Sequence, residues 1–325
     1  MSNVEVPMEG AAINLFDTVD ARTKLAGSNR MEILLFSLGT SEIFGINVFK
    51  VREVSKTPFI TRAPNMPHGV EGLISLRGNV IPVLSLGKIL GLSRPDQALG
   101  ASMMVTEYSK RTLGFLVDEV DRIIRVEWNK VRQPENMTLA SSQSYITAIT
   151  ELDDGKLVSI LDVETILAQT FGETPVGAIA PLHREDERET SIFFADDSMV
   201  ARKKIVEVLD KLGVRHKHAL NGQEAWTRLD ALAKHAEQRK RPLTEELDLI
   251  LVDAEMPEMD GYVLTRHIKS DNRFDGIPVV MHSSLSSEAN RSMGKAVGVD
   301  AYVAKFDAEV LSETLRPYLM KSNRD

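Results

Sequence analysis

The sequence of 325 residues contains no cysteine. This absence excludes disulfide bonds, thiolate metal sites and a cysteine nucleophile, and it is consistent with a reducing compartment. The sequence also lacks any apolar run close to the roughly 20 residues that a membrane-spanning helix requires. Its first 15 residues include acidic but no basic side chains, unlike the start of a signal peptide. We therefore expect a soluble, cytoplasmic protein that does not insert into a membrane.

Basic residues are fewer than acidic ones. The sequence has 39 lysine and arginine residues and 47 aspartate and glutamate residues, which gives a net charge of −8 and an isoelectric point near 5.5. A dedicated nucleic-acid-binding protein usually carries a basic surface, so we expect no nucleic-acid partner. The hydrophobic content of 43% is sufficient for buried cores, and the length suggests two domains.

A change of composition near residue 176 divides the chain. Residues 176–190 begin with small residues and proline and continue into dense alternating charge with no apolar period, so they are predicted to be a solvated linker. A charged helix continuing between the domains is the alternative. The linker separates a domain at 30–175 from a second domain at 191–323. Before both, the segment 1–29 is predicted to contain a short amphipathic helix at 8–26.

The first domain reads as all-β and contains an internal duplication. Short β-rich runs are interrupted by glycine and proline, as in a barrel or sandwich. Residues 78–90 align without gaps to residues 155–167, and residues 45–54 show a second echo at 114–123 in the same order. These echoes predict two similar β subdomains. A nucleophile–base pair is missing here, and His68 is the only histidine, so a binding module is favoured over an enzyme.

Two segments of this domain resemble CheW-type coupling domains. They are the run Gly-Val-Glu-Gly-Leu-Ile-Ser-Leu-Arg-Gly-Asn-Val-Ile-Pro-Val-Leu from Gly69 and the run Gly-Phe-Leu-Val-Asp-Glu-Val from Gly114. The resemblance covers about residues 30–173 and implies a fold of two small β-barrels. It also implies a role in bridging methyl-accepting chemoreceptors and the histidine kinase CheA, with Arg77 contributing to receptor binding. From the residues alone, Arg77 would be a turn residue that precedes Gly78.

The second domain alternates strand-like and helix-like runs, which predicts an α/β fold with a parallel sheet. Charged or polar residues follow four of its apolar runs: Asp196 with Asp197, Asp253, Ser283 and Lys305. Because the carboxyl ends of parallel strands meet in one crevice, these side chains are expected to lie together.

This set of side chains suits phosphoryl transfer to a carboxylate. Clustered carboxylates favour a bound divalent cation, and Mg²⁺ prefers oxygen ligands. Asp253 would act as the nucleophile and form an acyl phosphate. Ser283 can donate a hydrogen bond to a phosphoryl oxygen, and the positive charge of Lys305 can pair with Asp253 and then with the phosphate.

The same domain resembles the receiver domains of two-component systems, with a doubly wound, flavodoxin-like fold. The resemblance rests on the run Asp-Ala-Glu-Met-Pro-Glu-Met-Asp-Gly from Asp253 and covers about residues 190–322. It implies that Asp253 is the phosphoacceptor, as a 4-aspartylphosphate, and that Ser283 and Tyr302 form a switch pair beside Lys305. The implied Mg²⁺ ligands are Asp196 (through water), Asp197, Asp253 and the backbone carbonyl of Glu255.

A CheW-like domain followed by a receiver domain is the layout of the CheV family. That resemblance implies an adaptor at membrane-associated chemoreceptor arrays that couples receptors to CheA, is tuned by phosphorylation of Asp253, and has no separate catalytic output. Three alternatives stay open: a regulator with an enzymatic output, which needs catalytic residues that 30–175 lacks; a transcriptional regulator, which the acidic charge disfavours; and a phosphate sink. The basic stretch 230–246 is predicted to be a helix extension with an exposed loop, or else a docking site.

Overall fold

The structure is a computed structural model that describes residues 13–14, 30–92, 100–108, 111–132, 145–172, 175–183, 188–284, 288–305 and 307–320. The chain forms two compact units. The first consists of Met1–Leu25 and Arg30–Glu173, and the second consists of Ala26–Asn29 and Thr174–Asp325. None of the helices in the described ranges is both long enough and apolar enough to cross a membrane.

The first unit is built from two sheets, as expected for an all-β domain. The six-stranded sheet has the order β1-β4-β7-β8-β6-β5, and the five-stranded sheet has the order β10-β11-β3-β2-β9. Two short helices, α1 and α2, follow β6 and β11. The elements are β1 Ile13–Asn14, β2 Arg30–Ser37, β3 Ile43–Asn47, β4 Val51–Lys56, β5 Val70–Leu76, β6 Asn79–Ser85, α1 Leu86–Ile89, β7 Ser102–Tyr108, β8 Arg111–Val117, β9 Glu119–Glu127, β10 Ile146–Glu151, β11 Leu157–Leu161 and α2 Val163–Phe171.

The predicted duplication is present in the structure. Residues 78–90 and 155–167 each form a strand followed directly by a helix. The residues that directly precede the two helices, Ser85 and Asp162, occupy aligned positions in the two echoes. Each side chain accepts a hydrogen bond from a backbone N–H in the first turn of its helix. A side-chain oxygen at this position satisfies a helix donor that has no partner within the helix.

The second echo explains how the two halves are assembled. Strand β6 pairs in parallel with β8, where Val83 is opposite Gly114, and β11 pairs in parallel with β3, where Ile160 is opposite Gly45. These two pairs are equivalent in the alignment of the echoes. A Cβ atom at Gly45 would lie only 2.5 Å from the Ile33 side chain, and one at Gly114 would lie 2.8 Å from the Met103 side chain. Glycine is therefore needed at both positions for close packing.

The helix predicted at 8–26 lies mostly outside the described residues. Within that range, Ile13 and Asn14 form a strand that pairs with Val54 and Glu53 of β4. The helix prediction is wrong at these two positions. The amphipathic spacing did not account for β4, which offers backbone hydrogen-bonding groups at the edge of its sheet.

The second unit has a five-stranded parallel sheet with the order β13-β12-β14-β15-β16. One face is covered by α4 and α5, which supply core residues such as Leu229 and Leu264. The other face is covered by α3 and α7, which supply Leu209 and Leu315. This arrangement confirms the predicted doubly wound α/β fold. The elements are β12 Ser191–Ala195, α3 Met199–Leu212, β13 Arg215–Ala219, α4 Gly222–Gln238, β14 Leu249–Asp253, α5 Gly261–Lys269, β15 Val279–Ser283, α6 Glu288–Ala296, β16 Ala301–Ala304 and α7 Ala308–Leu319.

Part of the predicted linker is packed against the second unit. Val176 is buried in the core between α3 and α7, and Ile179 and Leu182 pack against the same core. The Nζ atom of Lys211 donates to the carbonyl of Val176 at 2.6 Å, and the N–H of Leu182 donates to the carbonyl of Leu212 at 2.9 Å. The prediction of a solvated linker is therefore wrong for Val176, Ile179 and Leu182, whereas the residues between them are exposed. Three apolar residues spaced by three cover a helix pair here.

The basic stretch 230–246 includes the predicted helix extension. Helix α4 continues to Gln238, and Ala233 and Ala236 of the extension are buried in the core. A turn follows in which Lys240 has a φ of 54°, and Leu243 then returns to the core. The apolar side of the extension is thus accounted for by packing.

Candidate functional site

The acidic residues of the second unit lie at one edge of its sheet. Asp196 and Asp197 follow β12, Asp253 is the last residue of β14, Ser283 is the last residue of β15, and Lys305 follows β16. All five strands run in the same direction, so these positions share the carboxyl edge. The order of the strands reverses between β12 and β14, where doubly wound sheets form their binding crevice. The predicted pocket is therefore brought together by the topology.

The three aspartates lie close together, and the lysine contacts two of them. One carboxylate oxygen each from Asp196, Asp197 and Asp253 lies within 4.8 Å of the others. The Nζ atom of Lys305 lies 2.8 Å from Oδ2 of Asp253 and 2.9 Å from Oδ2 of Asp196. The N–H of Glu255, whose carbonyl is a predicted ligand, donates to Oδ1 of Asp253 at 3.3 Å.

The pocket holds these charges away from water. The side chains of Asp196 and Lys305 are each 1% exposed, and that of Asp253 is 3% exposed. Burial raises the pKa of Asp196, but the positive charge of Lys305 and the contact with His282 together lower it by more. The pKa of Asp196 therefore lies below its ordinary value. Two of the three clustered carboxylates, those of Asp196 and Asp253, thus share one ammonium group. An oxygen-rich, negatively charged set of this kind fits a hard divalent cation such as Mg²⁺.

The spacing of polar and apolar residues after Asp253 has a packing basis. Met256 is fully buried in the core, and the Asp260 side chain caps α5 by accepting from the N–H of Val263 at 2.7 Å. A Cβ atom at Gly261 would lie 2.0 Å from the backbone oxygen of Asp253. Each of these residues therefore fixes the loop that begins at Asp253.

Ser283 and Tyr302, the predicted switch pair, lie on adjacent strands. The ring of Tyr302 packs against a small buried cluster that includes Tyr262, Met281 and Met293. Burial raises the pKa of Tyr302 to about 12, while hydrogen bonding to Ser283 and Tyr262 acts in the opposite direction. The hydroxyl groups of Tyr302 and Ser283 are thus close to one another.

Two further residues contact the pocket and were missed in the sequence. His282 is buried, and its Nδ1 atom lies 3.8 Å from Oδ2 of Asp196. Arg202 on α3 donates to the backbone carbonyls of Asp196 and Asp197 at 3.0 Å and 2.8 Å. A histidine inside an apolar run and an arginine on a helix carry no specific signal, so only the fold identifies them.

Arg77 lies in the first unit, at the turn between β5 and β6. Leu76 is paired with Asn79, so Arg77 and Gly78 form a two-residue hairpin loop, and both have positive φ angles of 50° and 83°. Such a loop is typical of a type I′ turn. The Arg77 side chain is 67% exposed and forms an ion pair with Glu53, which is 6% exposed. The guanidinium is therefore displayed at the surface.

Comparisons with known proteins match both units in the expected order. Residues 32–171 match the family of the CheW-like domain, and residues 192–316 match that of the response regulator receiver domain. Chemotaxis protein CheV3 of Helicobacter pylori is 33% identical over 284 residues, which cover 86% of this chain and 89% of CheV3. Chemotaxis protein CheV1 of the same organism is 28% identical over 327 residues, which cover 93% of this chain and 97% of CheV1. Chemotaxis protein CheW of Thermotoga maritima is 32% identical over 138 residues, which cover 42% of this chain and 88% of CheW.

Proposed function

Because the chain belongs to the CheV family of chemotaxis proteins, we propose that it couples chemoreceptors to the histidine kinase CheA and that phosphorylation of Asp253 modulates this coupling. It is a chemotaxis coupling adaptor with a receiver domain. The observation that carries the regulatory part is the contact of Lys305 with Asp253 and Asp196 in a buried acidic pocket. Residues 30–175 would form the coupling domain and residues 191–323 the receiver.

The chemistry assigned to Asp253 is phosphoryl transfer from a phosphohistidine of CheA. A carboxylate oxygen of Asp253 attacks phosphorus, and the phosphorus–nitrogen bond breaks with its electron pair left on the imidazole. Asp196, Asp197, Asp253 and the carbonyl of Glu255 would hold Mg²⁺, which neutralises phosphoryl charge when bound. Lys305 already neutralises the nucleophile before transfer and can follow the developing negative charge on the phosphoryl oxygens.

Partner binding is assigned to the first unit, with Arg77 as a receptor contact. The exposed guanidinium at the tip of a tight hairpin can reach a partner without rearrangement of either sheet. Through these contacts the protein would be recruited to membrane-associated receptor arrays. The receiver would then bias the contacts of the coupling domain through a two-state change at Ser283 and Tyr302.

The central experiment is transfer of labelled phosphate from purified, phosphorylated CheA in the presence of Mg²⁺. We expect label on the wild-type protein and on Asp275→Asn, an exposed control substitution, and none on Asp253→Asn. A chelator should abolish transfer to the wild-type protein and to Asp275→Asn. If CheA that readily labels another receiver leaves the wild-type protein unlabelled, the phosphorylation part of the proposal is wrong.

A second experiment separates coupling from a mere phosphate sink. Arg77→Ala is expected to weaken co-sedimentation with receptor-containing membranes while label transfer to Asp253 is unchanged. Arg52→Ala is the matched control, because Arg52 is also an exposed arginine in an ion pair of the same unit, with Glu107 at 3.0 Å. Equal co-sedimentation of both variants and the wild type would exclude Arg77 as a receptor contact.

A further inference from the structure

A second tyrosine lies beside the proposed switch pair. Tyr262 is the second residue of α5, and it follows Gly261, whose N–H donates to the carbonyl of Ala254 at 3.0 Å. Ala254 comes directly after Asp253. This hydrogen bond joins the chain neighbours of Tyr262 and Asp253, so the backbone of Tyr262 lies near the proposed phosphoacceptor. The side chain of Tyr262 belongs to the same buried cluster as Tyr302.

The hydroxyl of Tyr262 is an unusual feature of this cluster. Tyr262 is 5% exposed, and its hydroxyl oxygen is inaccessible to solvent. Among the described residues, this oxygen has no hydrogen-bond partner of ordinary geometry. Burial, followed by the proximity of Tyr302, raises the pKa of Tyr262 above its ordinary value, so the two hydroxyls are close to one another. A buried hydroxyl without a good partner is costly, and such groups call for a specific explanation.

The position of the Tyr302 ring is fixed from its other side by α6. The guanidinium carbon of Arg291 lies 5.7 Å from the centre of the Tyr302 ring. Gly294 lies inside α6, where glycine is less favourable than alanine. A Cβ atom there would lie 3.3 Å from Cδ2 of Tyr302, which is tighter than ordinary contact. The helix thus gives up stability to make room for this ring, which holds the Tyr302 hydroxyl between Ser283 and Tyr262.

We propose that Tyr262 is a third member of the switch, whose hydroxyl takes over the hydrogen bond of Tyr302 when Ser283 turns to a phosphoryl group on Asp253. A tyrosine hydroxyl can both donate and accept, so it can replace the serine hydroxyl in either role. The exchange would turn the present poorly aligned contact between the Tyr262 and Tyr302 hydroxyls into a hydrogen bond of good geometry. This inference rests on the proposed function, because it requires a phosphoryl group on Asp253.

The test uses the full chain labelled with 3-fluorotyrosine, and the phosphoryl mimic beryllofluoride with Mg²⁺ as the probe. Fluorine resonances of the five tyrosines are assigned with Tyr→Phe variants, and the beryllofluoride dissociation constant is measured for each variant. We expect Tyr262→Phe to weaken beryllofluoride binding about 5- to 10-fold, which corresponds to the loss of one hydrogen bond in the bound state. The thermal midpoint of the unliganded protein should be unchanged or higher, since the lost hydroxyl has no good partner there.

Two controls separate a switch role from a packing role. Tyr318→Phe removes a hydroxyl that donates to the carbonyl of Asp300 at 2.9 Å in the same unit, and it should leave beryllofluoride affinity unchanged. In the Tyr302→Phe background, adding Tyr262→Phe should have no further effect on affinity, because the partner hydroxyl is already gone.

The outcomes distinguish this inference from the function on which it rests. If the wild-type protein binds beryllofluoride and Tyr262→Phe binds it equally well, the Tyr262 hydroxyl takes no part in the switch, and only this inference fails. If Tyr262→Phe weakens binding by the same factor with and without the Tyr302 hydroxyl, the effect is one of packing, and the inference also fails. If the wild-type protein itself does not bind beryllofluoride, the proposed phosphorylation of Asp253 fails with it.

Discussion

The two units of this protein place their key cations in opposite environments. In the receiver, Lys305 is buried and its ammonium contacts two carboxylates. In the coupling unit, Arg77 is two-thirds exposed and contacts one carboxylate, that of Glu53. A parallel sheet collects the ends of several strands in one crevice, whereas a hairpin carries its turn residues out to the surface. The first arrangement suits chemistry on a small group, and the second suits contact with a large partner.

The difference has an energetic side. Charges that are removed from water depend on one another, because each loses its hydration and regains stabilisation only from its neighbours. The receiver pocket is therefore sensitive to any ion or phosphoryl group that changes its charge. In the coupling unit the Arg77 guanidinium keeps most of its hydration, although Glu53 is buried, so the loss of this pair should cost less stability than the loss of Lys305. The following predictions test this contrast in order of expected effect.

The largest effect is expected for Lys305→Met. This change leaves Asp196 and Asp253 buried without their ammonium partner, and breaking a buried pair in this way typically costs about 3–5 kcal/mol. We expect that loss in the unfolding free energy of the receiver at pH 7 without Mg²⁺, measured by chemical denaturation. Added Mg²⁺ should restore part of it, because a cation bound to the native state stabilises that state.

The pH dependence of this variant gives an independent check. Without Lys305, burial remains the largest influence on the pKa of Asp196 and raises it, and only the contact with His282 still lowers it. A carboxylate whose pKa is higher in the folded state than in the unfolded state binds more protons when folded, so stability is gained as the pH falls. The deficit of Lys305→Met should therefore shrink from pH 7 towards pH 5. Lys269→Met is the control, since Lys269 pairs with Asp300 in a more exposed setting. If the loss of unfolding free energy in Lys305→Met changes with neither pH nor Mg²⁺, the electrostatic explanation is wrong.

An intermediate effect is expected for Val176→Ala, which tests whether the receiver begins before residue 191. Val176 is 6% exposed, and two methylene equivalents of its side chain are lost from the core between α3 and α7. At about 0.8 kcal/mol for each, the unfolding free energy of the receiver should fall by about 1.5 kcal/mol. Val310→Ala is the control, because Val310 lies on α7 but is 39% exposed. If both changes have equally small effects, residues 176–182 do not contribute to the stability of the receiver.

The receiver pocket could be predicted from the sequence because its residues each follow an apolar strand. Once the sheet is parallel, the positions of Asp196, Asp253, Ser283 and Lys305 along the chain determine that they meet. Similarly, the duplication in the coupling unit could be predicted because both echoes have the same spacing of glycine and β-branched residues. Both echoes form parallel strand pairs in the same register. These features depend on local pattern and on a topology with few alternatives.

Other features depend on which distant partner a residue finds, and local pattern does not contain that information. The apolar residues Val176, Ile179 and Leu182 are separated by glycine, alanine and proline, so they did not stand out beside the dense charge that follows. The contact of His282 with Asp196 and the pairing of Ile13 with Val54 join elements that are far apart in sequence. Tertiary contacts of this kind override local preference, and the sequence shows neither partner as unusual.

The smallest difference in stability is expected between two substitutions of Arg77, which separate the role of the side chain from that of the backbone. Arg77 has a φ of 50°, a conformation that glycine adopts without strain and other residues adopt at a cost. Both substitutions remove the ion pair with Glu53, so its loss cancels when the two variants are compared. Arg77→Gly should therefore be about 1 kcal/mol more stable than Arg77→Ala in chemical denaturation, since both lose the ion pair and only alanine keeps the strain. Both variants should lose receptor co-sedimentation to the same extent if the guanidinium is the contact. If Arg77→Gly retains binding, the receptor recognises the backbone of the turn and not the arginine side chain. The coupling unit would then act through the shape of its backbone, whereas the receiver acts through the charge of Lys305.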